Sequence, residues 1–277
     1  MILFFCGAPK NASHFQQHII TESLEQKGIP YSIEGAEIFH KHNWEAGQKL
    51  LEKLDKQNDK VFICKGHWGY PTERDILLSF KSIKIFFIWR NINDVIVSQY
   101  FYKKNKFGSL YKDFSEFFWK RDGRSFLFKI LGFKNTWKNI NDDRTIHIQF
   151  TELKTNFQNS AKKMTDFAGI SNIDFNDLEK RVAIEALRKK HNDPHGTLYR
   201  KGKVGEHLEI ISSKIIKLDI DILSRLDGVL FTIVKKINDY YIVLLRKYRI
   251  LRYQKMFPGR NFLKNIYYKL RDNSINK

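Results

Sequence analysis

The chain has 277 residues, a formal net charge of +19 and 42% hydrophobic residues. That apolar content supports one core of ordinary size and excludes a disordered chain, and the excess of positive charge favours nucleic acid, an anionic membrane surface or a polyanionic small ligand as partner. No stretch reaches the ~18 uninterrupted apolar residues of a membrane span, and the apolar run at the N-terminus is too short for a signal peptide. Both cysteines, Cys6 and Cys64, fall in apolar runs, so we expect buried thiols in a reducing, cytoplasmic compartment.

The first 26 residues predict a strand, a tight turn and a helix. Ile2–Cys6 is wholly apolar, as in a strand buried on both faces, and the turn Gly7–Lys10 separates it from a helix over Asn11–Gln26. Unpaired backbone N–H groups and the positive end of the helix dipole point at whatever occupies such a turn. Because this segment also carries Lys10 and Ser13, the sequence predicts a phosphate or sulfate site there.

Strands and helices then alternate along most of the chain. The patterns predict strands over residues 31–33, 61–64, 83–89 and 145–150, and helices over residues 44–54, 74–80, 94–103, 113–121, 124–138, 158–168 and 175–190. Asn93 is the expected N-cap of the helix that begins at Asp94. Near-continuously apolar strands that alternate with helices indicate an α/β fold, with a central parallel sheet and helices on both faces. Ligands bind at the carboxyl ends of such strands, where we expect the loops after Cys6, Cys64, Trp89 and Phe150 to meet.

The C-terminal region differs in pattern from the rest. We divide the chain into a domain over residues 1–212 and a basic helical extension over residues 213–277. Apolar residues at steps of three and four from Leu223 to Leu251 predict an amphipathic helix, which Pro258 and Gly259 end. Residues 219–277 carry 13 Lys and Arg against 5 Asp. Three roles stay open for this basic extension: packing on the domain, homodimerisation, or peripheral contact with an anionic membrane.

The order of residues in the first loop distinguishes it from a Walker P-loop. A Walker lysine follows the glycines and directly precedes a Ser or Thr, whereas here Pro9 and Lys10 come before Ala12 and Ser13. This P-K-x-small-[S/T] order resembles the 5′-phosphosulfate loop of sulfotransferases that use 3′-phosphoadenosine-5′-phosphosulfate (PAPS). The family resemblance therefore begins at the predicted anion site.

Later stretches resemble the same family, in the family's order. They are Lys65-Gly-His67, Arg90 with Ser98 in an R-x-x-x-D-x-x-x-S pattern, Phe150–Leu153 with Met164–Gly169, and Leu198–Gly205 as an R-K-G-x-x-G loop. The resemblance spans residues 1–210. It implies the P-loop-like α/β fold of sulfotransferases, with a helical C-terminal extension added here.

The resemblance also implies a PAPS site with two cradles and no metal ion. Lys10, Ser13 and the helix N-terminus are expected to hold the 5′-phosphosulfate, while Arg90 and Ser98 hold the 3′-phosphate and Phe15 stacks on adenine. The full set of cofactor-binding residues that the resemblance implies is Lys10, Asn11, Ala12, Ser13, His14, Phe15, Arg90, Ser98, Phe150, Arg200, Lys201 and Gly202.

The implied reaction is an in-line sulfuryl transfer that depends on positioning and charge neutralisation. His67 is the expected general base for an acceptor hydroxyl or amine. Lys10 is expected to neutralise charge on the bridging oxygen of the departing nucleotide, and Lys65 to stabilise the transferring sulfuryl oxygens. The acceptor stays open among a sugar hydroxyl, a lipid head group, a phenol and a peptide tyrosine. The basic, aromatic-rich composition favours a carbohydrate or a lipid head group.

Four residues depart from the family pattern. The family has Gly at the position of Ala12 and Thr or Ser at that of His14. It has Tyr at the position of Phe150 and Trp at that of His207. These departures bear on the contacts with adenine and on the class of acceptor more than on the reaction.

Two other functions remain as alternatives. A P-loop nucleotide kinase requires a Walker lysine, which the sequence lacks. A non-enzymatic basic protein that binds nucleic acid or a membrane requires no ordered series of motifs. The basic extension keeps this second alternative open, although nucleic acid is not the expected partner.

Overall fold

In the computed structural model, the described part of the chain comprises residues 1–40, 43–57, 60–108, 111–119, 122–193, 202–226, 230–238 and 240. The strands are β1 Ile2–Cys6, β2 Tyr31–Glu34, β3 Val61–Gly66, β4 Ile83–Trp89 and β5 Thr145–Gln149. The helices before β5 are α1 Ser13–Gln26, α2 Ala36–His40, α3 Trp44–Asp55, α4 Pro71–Ser79, α5 Ile92–Phe107, α6 Phe114–Trp119 and α7 Asp122–Trp137. Those after β5 are α8 Phe150–Thr155, α9 Phe157–Ala168, α10 Phe175–Arg181, α11 Ile184–Lys190, α12 His207–Ile210 and α13 Lys214–Arg225.

The five strands form one parallel sheet in the order β2-β3-β1-β4-β5. β1 lies at the centre, and its last residue, Cys6, pairs with Gly66 of β3 and with Phe87 of β4. Every residue of β1 is fully buried, which explains why its sequence is apolar without alternation. Because all strands run the same way, the loops after β1, β3, β4 and β5 leave the sheet at one edge.

Helices cover both faces of this sheet. Leu3 and Phe5 of β1 belong to one buried cluster with Ile20 of α1 and Met164 of α9. Phe4 lies on the opposite face, where its ring centroid is 5.1 Å from that of Phe39 in α2. The predicted fold class is therefore confirmed. Cys6 and Cys64 are free and buried, also as predicted, and burial raises the pKa of both thiols.

Two of the predicted helices have different boundaries. Asn91, not Asn93, caps α5, because its side-chain oxygen accepts a hydrogen bond at 2.9 Å from the backbone N–H of Asn93. The single helix predicted over residues 175–190 is wrong, since α10 and α11 are separate. The backbone of Ala183 between them is extended, with φ −55° and ψ 144°. The apolar spacing continues across this break, so the sequence pattern did not reveal it.

The strand over 61–64 is longer than predicted. β3 continues through Lys65 and Gly66, which pair with Phe5 and Cys6 of β1. The Lys65 side chain therefore projects from a central strand and is only 4% exposed. This burial lowers the pKa of the Lys65 ammonium.

The chain divides into two compact units, Met1–Arg225 and Leu226–Lys277. α13, which the sequence assigned to the extension, lies in the first unit, where Asp219 pairs with Arg124 of α7 at 3.1 Å. The predicted continuous helix is wrong near its start, because α13 ends at Arg225 and Leu226 is not helical. Residues 230–238 are helical, whereas the predicted helix beyond Tyr240 lies outside the described residues. The domain division stays a prediction.

Within the described ranges, none of the helices has the length and apolar character needed to cross a membrane.

Candidate functional site

The loop between β1 and α1 has an unusual backbone. Lys10 and Ala12 both adopt left-handed conformations, with φ 70° and 71°, and the helix begins directly afterwards at Ser13. A left-handed conformation costs a non-glycine residue about 1–2 kcal/mol, so other contacts must stabilise this loop. Such strain is typical of functional loops.

Two hydrogen bonds fix this loop to the neighbouring strand ends. The side-chain amide of Asn11 donates to the carbonyl of Ile88 in β4 at 3.3 Å. Nδ1 of His67, just after β3, lies 2.8 Å from the carbonyl oxygen of Gly7. The carbonyl can only accept, so Nδ1 carries the proton, and the neutral ring has its lone pair on Nε2. One contact thus holds the loop and selects the His67 tautomer that a general base requires.

The N-terminus of α1 has the features of an anion site. α1 has 14 residues, and no side-chain hydrogen bond caps its first turn. Oδ1 of Asn11, a fully buried residue, has no hydrogen-bond partner among the described residues. An anion bound beside the loop could accept from the N–H groups of this first turn.

An open cavity of about 440 Å³ lies at this edge of the sheet. It combines the first loop with the residues that follow β3, β4 and β5. The described residues that line it are Pro9, Lys10, Ala12, Ser13, His14, Phe15, His67, Arg90, Ser98, Gln99, Tyr102, Asn105, Phe126, Lys129, Phe150, Lys154, Ile184, Leu187 and Gly202. This lining contains Lys and Arg residues but no Asp or Glu. A polyanionic ligand matches its charge.

Two lysines at the cavity have strongly lowered pKa values. Burial and, secondly, the Lys10 ammonium lower the pKa of Lys65 to about 7. Burial and, secondly, Lys106 lower the pKa of Lys10 to about 8. Nζ of Lys65 contacts Nε2 of His14, and Nζ of Lys10 lies 3.3 Å from the ring centroid of Tyr102. Two neighbouring ammonium groups repel each other here, and a bound anion would relieve that repulsion.

Arg90 lies at the other side of the cavity, at the end of β4. It is 7% exposed, its Cζ lies 4.5 Å from the ring centroid of Phe150, and Nη2 donates to the carbonyl of Lys203 at 3.0 Å. Ser98, two helical turns into α5, lines the same cavity. A guanidinium beside a hydroxyl is suited to phosphate oxygens.

Asp94 attaches the segment around Gly205 to this side of the site. Its carboxylate, 1% exposed, accepts hydrogen bonds from the backbone N–H groups of Gly205 at 2.9 Å and His207 at 3.1 Å. It also lies 2.8 Å from Nδ1 of His207. Burial alone would raise the pKa of Asp94, but these hydrogen bonds and the nearby Arg90 hold it below its usual value. His207, where the family has Trp, thus contributes a polar attachment that the sequence did not predict.

Gly202 shows why the R-K-G-x-x-G segment needs glycine. Its φ is +57°, and a Cβ there would lie 2.5 Å from Cδ1 of Ile184. Gly202 lines the cavity. Arg200 and Lys201, which the resemblance also assigned to the cofactor, lie outside the described residues.

The comparison with known families settles what kind of protein this is. The model of the sulfotransferase domain family matches residues 15–219, about three quarters of the chain. The chain belongs to the sulfotransferase family. No curated protein matches it in sequence.

Solved sulfotransferase structures have a similar fold at low sequence identity. The mouse sulfotransferase SULT7A1, complexed with PAP, is 18% identical with a TM-score of 0.61, over 87% of this chain and 88% of that chain. Retinol dehydratase in complex with androsterone and the inactive cofactor PAP is 15% identical with a TM-score of 0.54, over 79% of this chain and 78% of that one. Retinol dehydratase with retinol and PAP gives the same identity and TM-score.

Most of the predicted site residues of this sulfotransferase line the cavity of about 440 Å³. Those that line it are Lys10, Ala12, Ser13, His14, Phe15, His67, Arg90, Ser98, Phe150 and Gly202. Asn11 and Lys65 are buried behind this lining, and Lys65 reaches it through His14. Among the described residues, no group of three or more His, Cys, Asp or Glu could hold a metal ion.

The sequence did not predict the rest of the lining. Gln99, Tyr102 and Asn105 follow Ser98 on α5, and the spacing of Ser98, Tyr102 and Asn105 by four and three residues was a signal available in the sequence. No spacing or motif in the sequence indicated the remaining lining residues, Phe126, Lys129, Lys154, Ile184 and Leu187. Trp68 and Tyr70, which follow His67 by one and three residues, are not among the described lining residues: Trp68 is buried in the core and Tyr70 is 60% exposed.

Proposed function

We propose that this sulfotransferase moves a sulfuryl group from PAPS to a hydroxyl or amine of a small acceptor, with His67 as general base. The observation that carries the proposal is that one cavity, lined by no carboxylate among the described residues, contains Lys10, His67 and Arg90. PAPS has anionic groups at two ends, so it requires two separate cationic sites. The PAP bound in the similar structures supports the same cofactor here.

The residues present fit PAPS. Lys10, Ser13 and the first turn of α1 would hold the 5′-phosphosulfate, in a loop that the side-chain amide of Asn11 fixes to the end of β4. His14, which replaces a hydroxyl residue of the family, would donate from an imidazole. Arg90 and Ser98 would hold the 3′-phosphate, together with the segment that includes Gly202. Phe15 would support adenine, because its ring lies in the lining, edge-to-face with Phe150 at 6.4 Å.

Each proposed catalytic residue has one role in the transfer. PAPS supplies an activated sulfuryl group, whose bond to the bridging phosphate oxygen breaks as sulfur bonds to the acceptor. His67 takes the acceptor proton on Nε2, while its Nδ1–H remains bonded to Gly7. Lys10 balances the negative charge that develops on the bridging oxygen, and Lys65 balances charge on the sulfuryl oxygens. No residue needs to form a covalent bond.

The acceptor is proposed to enter beside His67. Tyr102, Asn105, Phe126 and Lys129 line this cavity and have no role in the proposed PAPS site. Retinol dehydratase has been crystallised with androsterone and with retinol, which are largely apolar alcohols. The aromatic lining supports an acceptor with an apolar part, such as a lipid, over a wholly polar sugar.

Turnover of PAPS tests the proposal. Purified protein with ³⁵S-labelled PAPS and a panel of phenols and alcohols is expected to yield sulfated product and PAP in equal amounts, with or without EDTA. The matched negative control is the variant Arg90→Ala. If intact protein binds no PAP and releases none with any acceptor, the proposal is wrong.

The affinity for PAP is expected to fall as pH rises from 7 to 9. In the free protein the pKa of Lys65 is about 7 and that of Lys10 about 8, so both lose protons over this range. The phosphates of PAP are already ionised above their second pKa of ~6, so the change comes from the protein. A phosphate binds the protonated lysines, and binding should therefore take up protons near pH 7.5. Isothermal titration calorimetry in buffers of different ionisation enthalpy measures that uptake.

The control for this pH dependence is Lys65→Met. The variant should bind PAP more weakly at pH 7 and show a smaller decrease in affinity towards pH 9, because one titrating group is gone. An affinity for PAP that is constant from pH 7 to pH 9 in the unmodified protein would contradict the lowered pKa values.

A further inference from the structure

α13 has apolar residues on two of its sides. Ile216, Ile220 and Leu223 are buried and form one side, at steps of four and three along the helix. On the same helix, Asp219 pairs with Arg124 of α7 at 3.1 Å. This buried side and the ion pair explain how α13 packs on the rest of its unit.

The other apolar side of α13 is exposed. Ile215, Leu218 and Ile222, which we call the exposed stripe, are 69%, 58% and 51% exposed. Their steps of three and four place them together on the side of the helix roughly opposite the buried one. Single exposed apolar residues are common, but a contiguous exposed apolar surface is typical of an interaction site. The exposed stripe therefore requires an occupant.

The charge beside the exposed stripe is positive. Lys214 and Lys217, which alternate with its residues along the chain, are themselves exposed. The two acidic residues of α13 are paired, Asp219 with the arginine of α7 and Asp221 with Arg225 at 2.8 Å. The occupant must therefore match an apolar strip that is flanked by ammonium groups.

The second unit, taken by itself, has the same chemistry. Leu230, Ile233 and Ile237 are exposed, again at steps of three and four, in the helical residues 230–238. Over residues 226–277 the sequence has 12 Lys and Arg against 3 Asp. Exposed apolar side chains at helical spacing thus occur together with an excess of positive charge in both units.

An anionic lipid bilayer matches both features. Amphipathic helices lie in its interface, with apolar side chains among the acyl chains and lysines at the lipid phosphates. Nucleic acid would engage the lysines but leave the apolar side chains in water. A second copy of the chain carries the same positive charge, and three side chains over two helical turns cannot supply the ~800 Å² per partner that a stable interface buries.

We propose that the exposed stripe of α13 binds the surface of an anionic membrane, with Ile215, Leu218 and Ile222 inserted at the interface and Lys214 and Lys217 at the lipid phosphates. The helix over residues 230–238 makes a second contact of the same kind. Both chemistries are needed, because stable peripheral binding takes an apolar and an electrostatic signal together. The inference is independent of the proposed function, since none of these residues is among the described lining of the cavity.

Co-sedimentation of the full chain with vesicles tests this binding. The protein is expected to bind vesicles of phosphatidylcholine with phosphatidylglycerol at least about tenfold more tightly than vesicles of phosphatidylcholine alone, because lysines near the surface gain from its negative potential. Raising the salt concentration from about 0.1 M to about 1 M should weaken the binding, since the Debye length falls from ~10 Å to ~3 Å.

Substitution of the exposed stripe separates insertion from charge. The triple variant Ile215→Ser, Leu218→Ser and Ile222→Ser keeps every charge and should bind anionic vesicles at least about tenfold more weakly. Its melting temperature should be unchanged, because the three side chains are already exposed. Ile222→Ser alone should weaken binding less. Its matched control is Ile33→Ser on β2, which replaces an isoleucine of similar exposure, 54%, and should leave vesicle binding unchanged.

A dye on the exposed stripe reports insertion independently of affinity. Cys6 and Cys64 are buried, so a cysteine introduced by Ile222→Cys is the accessible target for an environment-sensitive maleimide. Its fluorescence should shift to the blue with anionic vesicles, whereas the same dye on Ile33→Cys should show no shift.

Other outcomes overturn the inference. Equal binding to both kinds of vesicle, or binding to neither, would reject the membrane as occupant. Unchanged binding by the triple variant would mean that charge alone attracts the protein. A dimer in solution that the triple variant loses would assign the exposed stripe to a second copy, and a lowered melting temperature of the triple variant would assign it to packing within the chain.

Discussion

Replacing His67 with asparagine is expected to lower kcat by about 10²–10⁴-fold, the usual contribution of a general base. The change removes Nε2, the proposed proton acceptor, but an asparagine amide can still donate to the carbonyl of Gly7, where Nδ1 of His67 now lies at 2.8 Å. The first loop should therefore keep its position, and the affinity for PAP should change less than threefold. Steady-state kinetics and calorimetry with PAP measure the two quantities separately.

A second histidine provides the control for this variant. His147 on β5 also contacts a backbone carbonyl, that of Ile140 at 3.0 Å, but it is not among the described residues that line the cavity. His147→Asn should leave kcat nearly unchanged. If His67→Asn retained full kcat with every acceptor, His67 would have a structural role only.

Replacing Lys10 with methionine is expected to lower kcat by about 10²–10³-fold, which corresponds to the ~3–4 kcal/mol that one donor to a developing charge contributes. Methionine keeps an unbranched chain of similar length against Tyr102, whose ring centroid is 3.3 Å from Nζ of Lys10. Binding of PAP should weaken much less than kcat falls, because the bridging oxygen gains most of its charge in the transition state. Single-turnover kinetics with saturating PAPS measures the chemical step.

Lys106 offers a matched control on the same aromatic ring. Its Nζ lies 5.5 Å from the ring centroid of Tyr102, yet Lys106 does not belong to the described lining of the cavity. Lys106→Met should leave kcat within about threefold of its original value, although it removes a repulsion that lowers the pKa of Lys10. Equal losses of kcat in both variants would mean that total positive charge matters and that Lys10 has no specific role.

The fold could be predicted from the sequence because its central strands are short and largely apolar. Ile2–Cys6 is buried on both faces of the sheet, and Ile83–Trp89 is buried except at Lys84 and Trp89, as these apolar sequences predict. The end of β3 was missed, because a lysine in a central strand contradicts the apolar pattern. Lys65 is tolerated there because its ammonium contacts His14 at the cavity. Lys65, the polar residue in this otherwise apolar strand, is a proposed catalytic residue, and such exceptions are expected at functional sites.

The cofactor side of the candidate site could be predicted, and the acceptor side could not. The proposed PAPS contacts follow short motifs at strand ends, where spacing carries the information. Tyr102, Phe126 and Lys129 come from helices packed across the cavity, and only the tertiary packing of α5 and α7 brings them to His67. Apart from the helical spacing of Ser98, Tyr102 and Asn105 on α5, this side of the site has no local signature in the sequence.

The departure at residue 207 shows a similar limit. The sequence identified His207 as a replacement for the family's Trp but did not show which residue His207 contacts. In the structure, the Asp94 carboxylate accepts from the backbone N–H of His207 and lies 2.8 Å from its Nδ1, although the two residues are 113 positions apart in the chain. Such a long-range pair has no pattern in a single sequence.

The most direct test of the central claim, that the cavity binds a nucleotide with two anionic ends, is calorimetric titration of PAP into the protein and into Arg90→Ala. We expect micromolar binding with one site per chain. We also expect the affinity to fall about 10²-fold in Arg90→Ala, because two charge-assisted hydrogen bonds of ~1.5–3 kcal/mol each are removed and partly replaced by water. The affinity of Arg90→Lys, which keeps the charge but not the planar pair of donors, should lie between those of the unmodified protein and Arg90→Ala. Absence of PAP binding by the folded protein, or equal affinities in the protein and in Arg90→Ala, would contradict the claim that this cavity binds such a nucleotide.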